Sequence, residues 1–470
     1  APSTPTEVFY SVGTETKDFK IGAPTLTISG GILTLSLAQP LTMGAGDLVN
    51  VNNTLTVAVS SSINASKFTV TTMRGGTPAD IALGTPCTSI KRAFNSLASA
   101  ESLSSDQQHL GTANLIAHNL RLTWVCYEDG TFTAGATIDG YTSSEYNYIR
   151  LTIAEVARHS GTAGTGVVIN PSVAGNVIEV RDNGVIIEWL EITDYGVSSY
   201  KSAIYLTTTR DVIVANCIIH DNVVGAYTRG IYDYQSDGGH TFYNNIIYSG
   251  NNGDSFSYGI AIYYANRPSS LFNNTVYDAG GYGSAVGIYN TATANCELRN
   301  NLVADFAVCY GTATGGTWAG TSGYNASTDA TAPGGSPRHN LILADQFSSM
   351  VVGAEDFHLA ETSDCVDVGE SLSTSFVIDI DNETRPNGYY WDIGADEFFS
   401  ASTAVYYSVG TQTADFKIGA PNMTISNGFA TLTVSQPLTM GTGDLITYGA
   451  SLTITVAERV SAREFSVRSM

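Results

Sequence analysis

The sequence predicts an all-β protein: a right-handed single-stranded parallel β-helix flanked by two homologous small β-barrel or sandwich modules. Three observations predict it. Four phrases recur, Asn216-Cys-Ile-Ile-His, Asn244-Asn-Ile-Ile-Tyr, Asn273-Asn-Thr-Val-Tyr and Asn300-Asn-Leu-Val-Ala, with spacings of 28, 29 and 27 residues. A second phrase keeps the same step: Ala203-Ile-Tyr, Gly230-Ile-Tyr, Gly259-Ile-Ala and Gly287-Ile-Tyr. Two markers on one period of about 28 residues indicate stacked repeats. Their β-branched and aromatic runs, punctuated by Gly, Asn and Asp, are strand chemistry. Finally, residues 8–73 return without a gap as 405–470, about half of the positions being identical.

In a stacked coil, residues one period apart lie above one another at strand spacing, ~4.8 Å. Ile204, Ile231, Ile260 and Ile288 then form one aliphatic row. Ile219, Ile247, Val276 and Val303 form another. No coil buries its apolar face alone, so neighbours must stack. Asn suits the turns because it tolerates left-handed backbone and bonds nearby backbone groups. Its amide can also bond along the stack. The right hand follows from the crossover rule for parallel strands.

Taken in order, residues 1–80 are expected to hold the first small β module, 81–400 the β-helix and 403–470 the second module. In the first module, Thr25-Leu-Thr-Ile-Ser and Ile32-Leu-Thr-Leu-Ser-Leu flank Gly30-Gly31. That pattern predicts a hairpin within a barrel of roughly five or six strands. Residues 74–84 read as a linker. A helix is expected over about 88–103, with Thr88 as N-cap and Ile90, Phe94, Leu97 and Ala98 on one face. It would cover the open first coil, whose strand edges otherwise stay unpaired. Residues 110–175 read as irregular early coils, and regular ones begin at Val177. The stretch from about Gly311 to Pro337 breaks the period, and Asn340-Leu-Ile-Leu-Ala-Asp resumes it.

The β-helix closes on Asp379-Ile-Asp-Asn-Glu-Thr-Arg-Pro-Asn-Gly and Trp391-Asp-Ile-Gly-Ala-Asp-Glu-Phe. With the Asn-Asn phrases, these residues resemble secreted right-handed parallel β-helix proteins of the choice-of-anchor Q type, over about 176–399. The resemblance implies export and surface display and no single activity. The chain departs from that pattern by carrying a second copy of its leading module where an anchor is expected.

Bulk properties agree. The formal net charge is -22, which repels nucleic acid and anionic membrane surfaces and attracts cations. No run of 18 or more apolar residues exists to insert in a membrane. Charged residues make up only 14%, with 47 Gly and 26 Tyr, a composition that suits an extracellular β-protein. The six cysteines form no Cys-x-x-Cys pair, which argues against a zinc or thioredoxin-like site. An even count permits disulfides in an exported protein. Cys217, inside a repeat phrase, reads as a small core residue.

Many parallel β-helices act on polysaccharides, so catalytic candidates were sought. Asp194 and Asp221 could meet on adjacent coils, with His220 as an acid–base partner and Arg229 as a lyase-type base. Asp is also a routine turn residue, and that is the favoured reading. Asp237-Gly-Gly-His240 is the nearest approach to a hydrolase phrase, and no paired-carboxylate motif accompanies it. Asp379 and Asp381 resemble part of a Ca²⁺ loop, but the Gly and Glu of an EF-hand are misplaced. A turn in which Arg385 pairs Asp392 or Asp396 is preferred, and no cofactor is expected beyond a Ca²⁺ ion at that loop. Tyr205, Tyr232 and Tyr289 follow the inward Ile row and so face outward. An exposed aromatic ladder can stack on sugar rings or bury into a partner.

The expected function is therefore a non-catalytic extracellular surface or structural protein: a filament subunit, rigid spacer or adhesin. Self-association is expected through the terminal modules, with Ala1 to Glu7 laid as an added strand on a neighbour. The alternative is a polysaccharide-binding or polysaccharide-degrading β-helix.

Overall fold

The computed structural model describes residues 4–14, 17–40, 42–171, 175–196, 200–222, 228–249, 256–279, 283–291, 295–313, 315–399, 407–410, 415–426, 429–448 and 452–469. The chain divides into two compact units, Ala1–Phe398 and Phe399–Met470.

The larger unit is built on a right-handed parallel β-helix with three faces. Its sheets have eight, seven and seven strands, all paired in parallel. On the third face Ile204, Ile231, Ile260 and Ile288 pair in register from coil to coil, as the period predicts. On the second face Ile219, Ile247, Val276 and Val303 do the same. All eight side chains are fully buried. The Gly of the Gly-Ile-Tyr phrase has a steric cause. A Cβ on Gly259 would sit 2.3 Å from Val276 Cγ1, and one on Gly287 would sit 2.2 Å from Val303 Cγ1. The third face approaches the second too closely there for any side chain.

The Asn turns are left-handed: φ is 52°, 52°, 48° and 56° at Asn216, Asn244, Asn273 and Asn300. The amide of Asn244 donates to Asn216 Oδ1 at 3.1 Å, and that of Asn300 to Asn273 Oδ1 at 3.1 Å. The following residues form a second ladder. Asn245 donates to Asn274, Asn274 to Asn301 and Asn301 to Asn325, each at 2.9 Å. Each buried amide thus finds partners above and below, which removes the cost of an unsatisfied polar group.

Three sequence expectations shift. The strand Thr6–Val12 lies outside the barrel and forms the outermost strand of the first solenoid face, paired in parallel with Leu120–Cys126. Val8, Tyr10 and Val12 point into the solenoid core with no exposure. Thr6 and Glu7 are therefore committed within their own chain. Of the segment expected to reach a neighbour, residues 1–3 lie outside the described residues.

The stretch read as linker and helix start is instead a strand, Ile81–Lys91, which closes a six-stranded antiparallel barrel. Thr88 caps nothing, since its hydroxyl bonds the O and Oδ1 of Asn50. The helix is Leu97–Leu103, capped by Ser96 in a reciprocal box with Ser99. Its Leu97 and Ala100 join the core beside Tyr10 and Trp124, at the first coils, as expected of a cover. The Gly30-Gly31 hairpin forms as predicted.

The regular coils do not reach residue 399. After about Arg338 the chain makes an antiparallel hairpin, Phe347–Val351 with Ala354–Leu359, and folds back along the second face. Phe347, Phe357, Leu359, Ile380 and Ile393 cover the outer side of that sheet at Ile218, Ile246 and Leu302. Asn273 Nδ2 donates to the carbonyls of Asp392 and Gly394, both at 2.9 Å. The second face is thus buried on both sides, and apolar pairs such as Ile218-Ile219, Ile246-Ile247 and Leu302-Val303 occur along its strands.

The smaller unit is a five-stranded antiparallel sheet. Its strand order places Met423–Ser426 at one edge and Leu445–Tyr448 at the other.

Candidate functional site

The outer side of the third face carries an aromatic array. Tyr205 pairs with Tyr232, Tyr232 with Ala261, and Ala261 with Tyr289. Tyr205 and Tyr232 stack at 5.8 Å. Where Ala261 breaks the row, Tyr258 and Tyr263 close the gap. Tyr258 stacks on Tyr289 at 4.7 Å, and Tyr263 lies 6.0 Å from Tyr232. Tyr234 and Tyr264 extend the array. Each such pair contributes about 0.5–1.5 kcal/mol beyond burial.

The structure thus brings the three predicted tyrosines onto one surface, but it changes their rank. Tyr232 is only 7% exposed, roofed by its neighbours and by Arg229, whose guanidinium lies 4.1 Å over its ring. Tyr205, Tyr234, Tyr263 and Tyr289 are half-buried and Tyr264 is exposed, so they carry the accessible surface. Tyr234, Tyr258, Tyr263 and Tyr264 were missed because they fall outside the Gly-Ile-Tyr phrase. The signal for Tyr234 and Tyr263 was present: they sit two residues along the same strands and so share a side of the sheet.

The catalytic candidates are only partly assembled. His220 Nδ1 lies 2.8 Å from Asp221 Oδ2 and its Nε2 lies 2.9 Å from Glu191 Oε1. The ring stacks on Tyr248 at 5.0 Å. Burial favours the neutral ring, but hydrogen bonds to Asp221 and Glu191 and their charges override it, lifting the His220 pKa to about 9. Held protonated between two carboxylates, this His cannot accept a proton at neutral pH. Asp194 occupies the position of Asp221 one coil earlier and accepts a hydrogen bond from Asn170 Nδ2 at 2.7 Å. Arg229 stands on the third face over Tyr232, and no ion pair joins it to either Asp among the described residues. His240 is fully buried. Its Nδ1 accepts from the Val212 N–H at 3.1 Å, and its ring stacks on Phe242. Burial lowers its pKa to about 3, which marks a neutral structural His. His159 is likewise buried, with Nε2 on the Asn216 carbonyl at 2.8 Å.

At the acidic turn, Asp379 is occupied by backbone. Its Oδ1 accepts from Asp381 and Glu383 N–H at 3.2 and 2.7 Å, and its Oδ2 from Glu397 N–H at 3.0 Å. Arg385 pairs with Glu397 at 2.9 Å, both fully buried. It does not pair with Asp392 or Asp396, whose carboxylates accept backbone N–H groups of Phe398 and Leu359. His358, Asp381 and Asp396 lie close enough to share an ion. His358, however, hydrogen-bonds Asp356 through Nδ1 and meets Asp381 at 3.3 Å through Nε2. Burial disfavours its charge, yet these carboxylates raise its pKa to about 11. His358 thus forms an ion-pair network with Asp356 and Asp381, and the predicted Asp379 and Asp381 come together with Glu383 in a second group close enough to share a cation. All six cysteines are buried, and Cys217 packs in the core as expected.

The second unit holds a groove of about 420 Å³ lined by Phe416, Pro421, Leu432, Met440, Asp444 and Ile446, among others. It runs along the open side of the five-stranded sheet.

Residues 160–316 match the family model described as "Right handed beta helix region". Comparisons with curated proteins and with solved structures gave no match. The matched residues span the regular coils, the Asn turns and the tyrosine array.

Proposed function

We propose that this chain is a non-catalytic structural protein of the cell exterior, a filament subunit, rigid spacer or adhesin, that assembles through its terminal β modules. One observation carries the reading. The second module repeats five barrel strands of the first, and among the described residues its sheet has two edge strands, Met423–Ser426 and Leu445–Tyr448. Natural proteins pair, cover or charge such edges. A contact from one end of a subunit to the other end of the next is heterologous, and where it does not close it propagates. Export and surface display rest on the resemblance to secreted choice-of-anchor Q proteins and on the low-charge, Tyr-rich composition. Light scattering and negative-stain microscopy test the reading. Concentration-dependent fibres or arrays, lost on removal of 403–470, are expected. A monodisperse monomer at high concentration overturns it.

The tyrosine array supports a second reading, a polysaccharide-binding face. Flat, half-buried rings in a continuous patch suit stacking on sugars. Binding to acidic or neutral glycans, weakened at least fivefold by Tyr289→Ala or Tyr263→Ala, would support it. A degradative activity is not expected. Release of unsaturated uronates from pectate or alginate, abolished by Asp194→Asn or Asp221→Asn, would reverse that.

A further inference from the structure

The geometry points to an oxidative modification site on the third face. Under a one-electron oxidant of the peroxidase class, fed by hydrogen peroxide, Tyr258 and Tyr289 join ring to ring and staple two neighbouring coils. The chemistry needs only the arrangement of the rings. The exterior location proposed above enters only as the setting in which such oxidants are met.

A stacked solenoid is held from coil to coil by strand pairing and packing, and each coil contacts only its neighbours. It can therefore open locally, at its weakest coil, before the whole unfolds. A covalent bond between two coils closes that route. Tyr258 and Tyr289 are placed to form one. They lie on the strands Phe256–Tyr263 and Val286–Asn290, which pair in parallel. Tyr258 stands opposite Val286, and Tyr289 stands opposite Ala261. The two residues are thus diagonal across the ladder, and only long side chains that lean towards each other can meet. They do meet: the ring centroids are 4.7 Å apart and the planes differ by 11°.

Loss of one electron and the phenolic proton turns a tyrosine into a phenoxyl radical. Its unpaired spin lies partly on the ring carbons beside the oxygen. Two such radicals couple through those carbons, and one C–C bond forms. The hydrogen on each coupled carbon then leaves as a proton, and a proton returns to each oxygen. In sum, two phenols lose two protons and two electrons, and one hydrogen peroxide takes them up to give two waters. The surrounding rings let both radicals arise side by side. Tyr289 lies 6.1 Å from Tyr263, which lies 4.7 Å from Tyr264. Tyr264 is 46% exposed, so an oxidant reaches it from solvent. Electron transfer between phenols at such separations carries the oxidation inward to the stacked pair.

Other contacts suit coupling less well. Tyr263 and Tyr264 are as close as the stacked pair, but their planes stand at 89°, edge to face. They are also consecutive residues, so a bond between them would staple nothing. Tyr205 and Tyr232 are 5.8 Å apart, and Tyr232 is roofed by Arg229. Tyr389 and Tyr390 are 92% and 65% exposed, and among the described residues they stack on no other ring. They separate exposure from geometry within one molecule.

The test treats the full chain with a haem peroxidase and hydrogen peroxide, then digests it for mass spectrometry. The expected main product is a peptide pair joined at Tyr258 and Tyr289, lighter by two hydrogens and fluorescent as dityrosine. It should form within single chains. Tyr258→Phe and Tyr289→Phe each keep the ring and remove one phenol, so each should abolish that product. Hydrogen exchange over 256–263 and 286–290 should slow in the cross-linked chain, because the two coils then open only together. A chain oxidised in urea should show no preference for this pair. Products dominated by Tyr389 or Tyr390 overturn the proposal, as does a 258–289 link equally frequent in the unfolded chain. A link that forms without slowing exchange in those strands overturns the staple. Neither self-assembly nor glycan binding enters the assay, so its failure and theirs are separate results.

Discussion

The first barrel and the C-terminal module share about half of their residues and differ in surface, and the difference is local. Away from the first barrel's strand Ile81–Lys91 they agree in detail. Gln39 Oε1 accepts from Ile21 N–H at 2.8 Å, and Gln436 Oε1 accepts from Ile418 N–H at 3.0 Å. Ser11 N–H donates to the Gly46 carbonyl at 3.0 Å, and Ser408 N–H donates to the Gly443 carbonyl at 2.9 Å. Leu35 and Leu432 are 3% and 5% exposed, and Ile32 and Phe429 are both 42% exposed. Beside that strand and the solenoid they part. Val49 is fully buried while its counterpart Ile446 is half-buried, and Tyr10 is buried while Tyr407 is exposed. The hydrogen bonds within the shared strands are therefore local, whereas in the first module much of the burial comes from the strand Ile81–Lys91 and the solenoid strand Leu120–Cys126.

The largest effect that could break this comparison concerns the Arg92 guanidinium. In the first barrel, Arg92→Ala leaves Asp47 buried without its partner, and such a loss costs about 3–5 kcal/mol. Arg92 also bridges to Asp129 at 2.7 Å and lies 3.6 Å over Tyr127, so barrel and solenoid should loosen together. Asp444→Ala should change the C-terminal module by less than about 0.5 kcal/mol, as a group outside a packed network. Segment-resolved hydrogen exchange reads both modules in one experiment. Equal effects at the two positions would mean that Asp444 already has a cation.

A second prediction separates the units by pH. The folded His220 pKa of about 9 exceeds the unfolded value near 6.5. A raised His pKa means stability that is complete below pH 6.5 and lost as pH rises through about 9. The loss is about 3 kcal/mol at most. His358 acts in the same direction, so the readout is the difference between the parent chain and His220→Gln. All four tryptophans and all seven histidines lie before residue 399. Tryptophan fluorescence in urea therefore follows the solenoid unit alone, and the C-terminal module should show no such pH step by exchange. A flat urea midpoint between pH 6 and 9, or one equally steep in His220→Gln, counts against the buried cation.

The third compares one core position twice. Ile28→Ala removes a fully buried side chain and should cost about 2–4 kcal/mol. Ile425→Ala, at 43% exposure, should cost under about 1 kcal/mol.

What was legible in the sequence follows the range of the interactions. The Ile rows and Asn turns were readable because a period repeats one environment many times. Each coil's Asn meets the same corner, so its φ, its ladder bond and its neighbours recur. The barrel's closing strand was not readable. Ile81–Lys91 contains Gly84 and Pro86 and bulges in register, so its alternation is blurred. Ile90, Phe94 and Leu97 chance to share helical spacing although the first belongs to a strand and the last to a helix. Thr6–Val12 reads as a strand, but nothing local says that its partner is Leu120–Cys126 and not the adjacent hairpin. Among candidate residues, the tyrosine face followed from strand alternation. The Arg385–Glu397 pair and the Glu191 contact of His220 depend on folding-back and stacking that no short phrase encodes.

The last prediction is of no difference. Gln39 is 3% exposed and Gln436 is 6% exposed, and each amide spans its module from within. Gln39 donates to the Leu37 carbonyl at 3.1 Å and Gln436 to the Val434 carbonyl at 2.9 Å. Each also faces the carbonyl of its partner isoleucine, Ile21 or Ile418. None of these partners belongs to the first barrel's strand Ile81–Lys91. Substituting either Gln by Ala should therefore cost the same, about 1–2 kcal/mol, from backbone groups left without a partner. Hydrogen exchange at Ile21 and Ile418 should accelerate by similar factors. The equality is informative because the neighbouring positions beside that strand are predicted to differ. If Gln436→Ala cost much less than Gln39→Ala, the C-terminal module would be loose throughout. Matched costs would locate the difference between the modules at the positions that pack on Ile81–Lys91 in the first barrel and at their counterparts in the second.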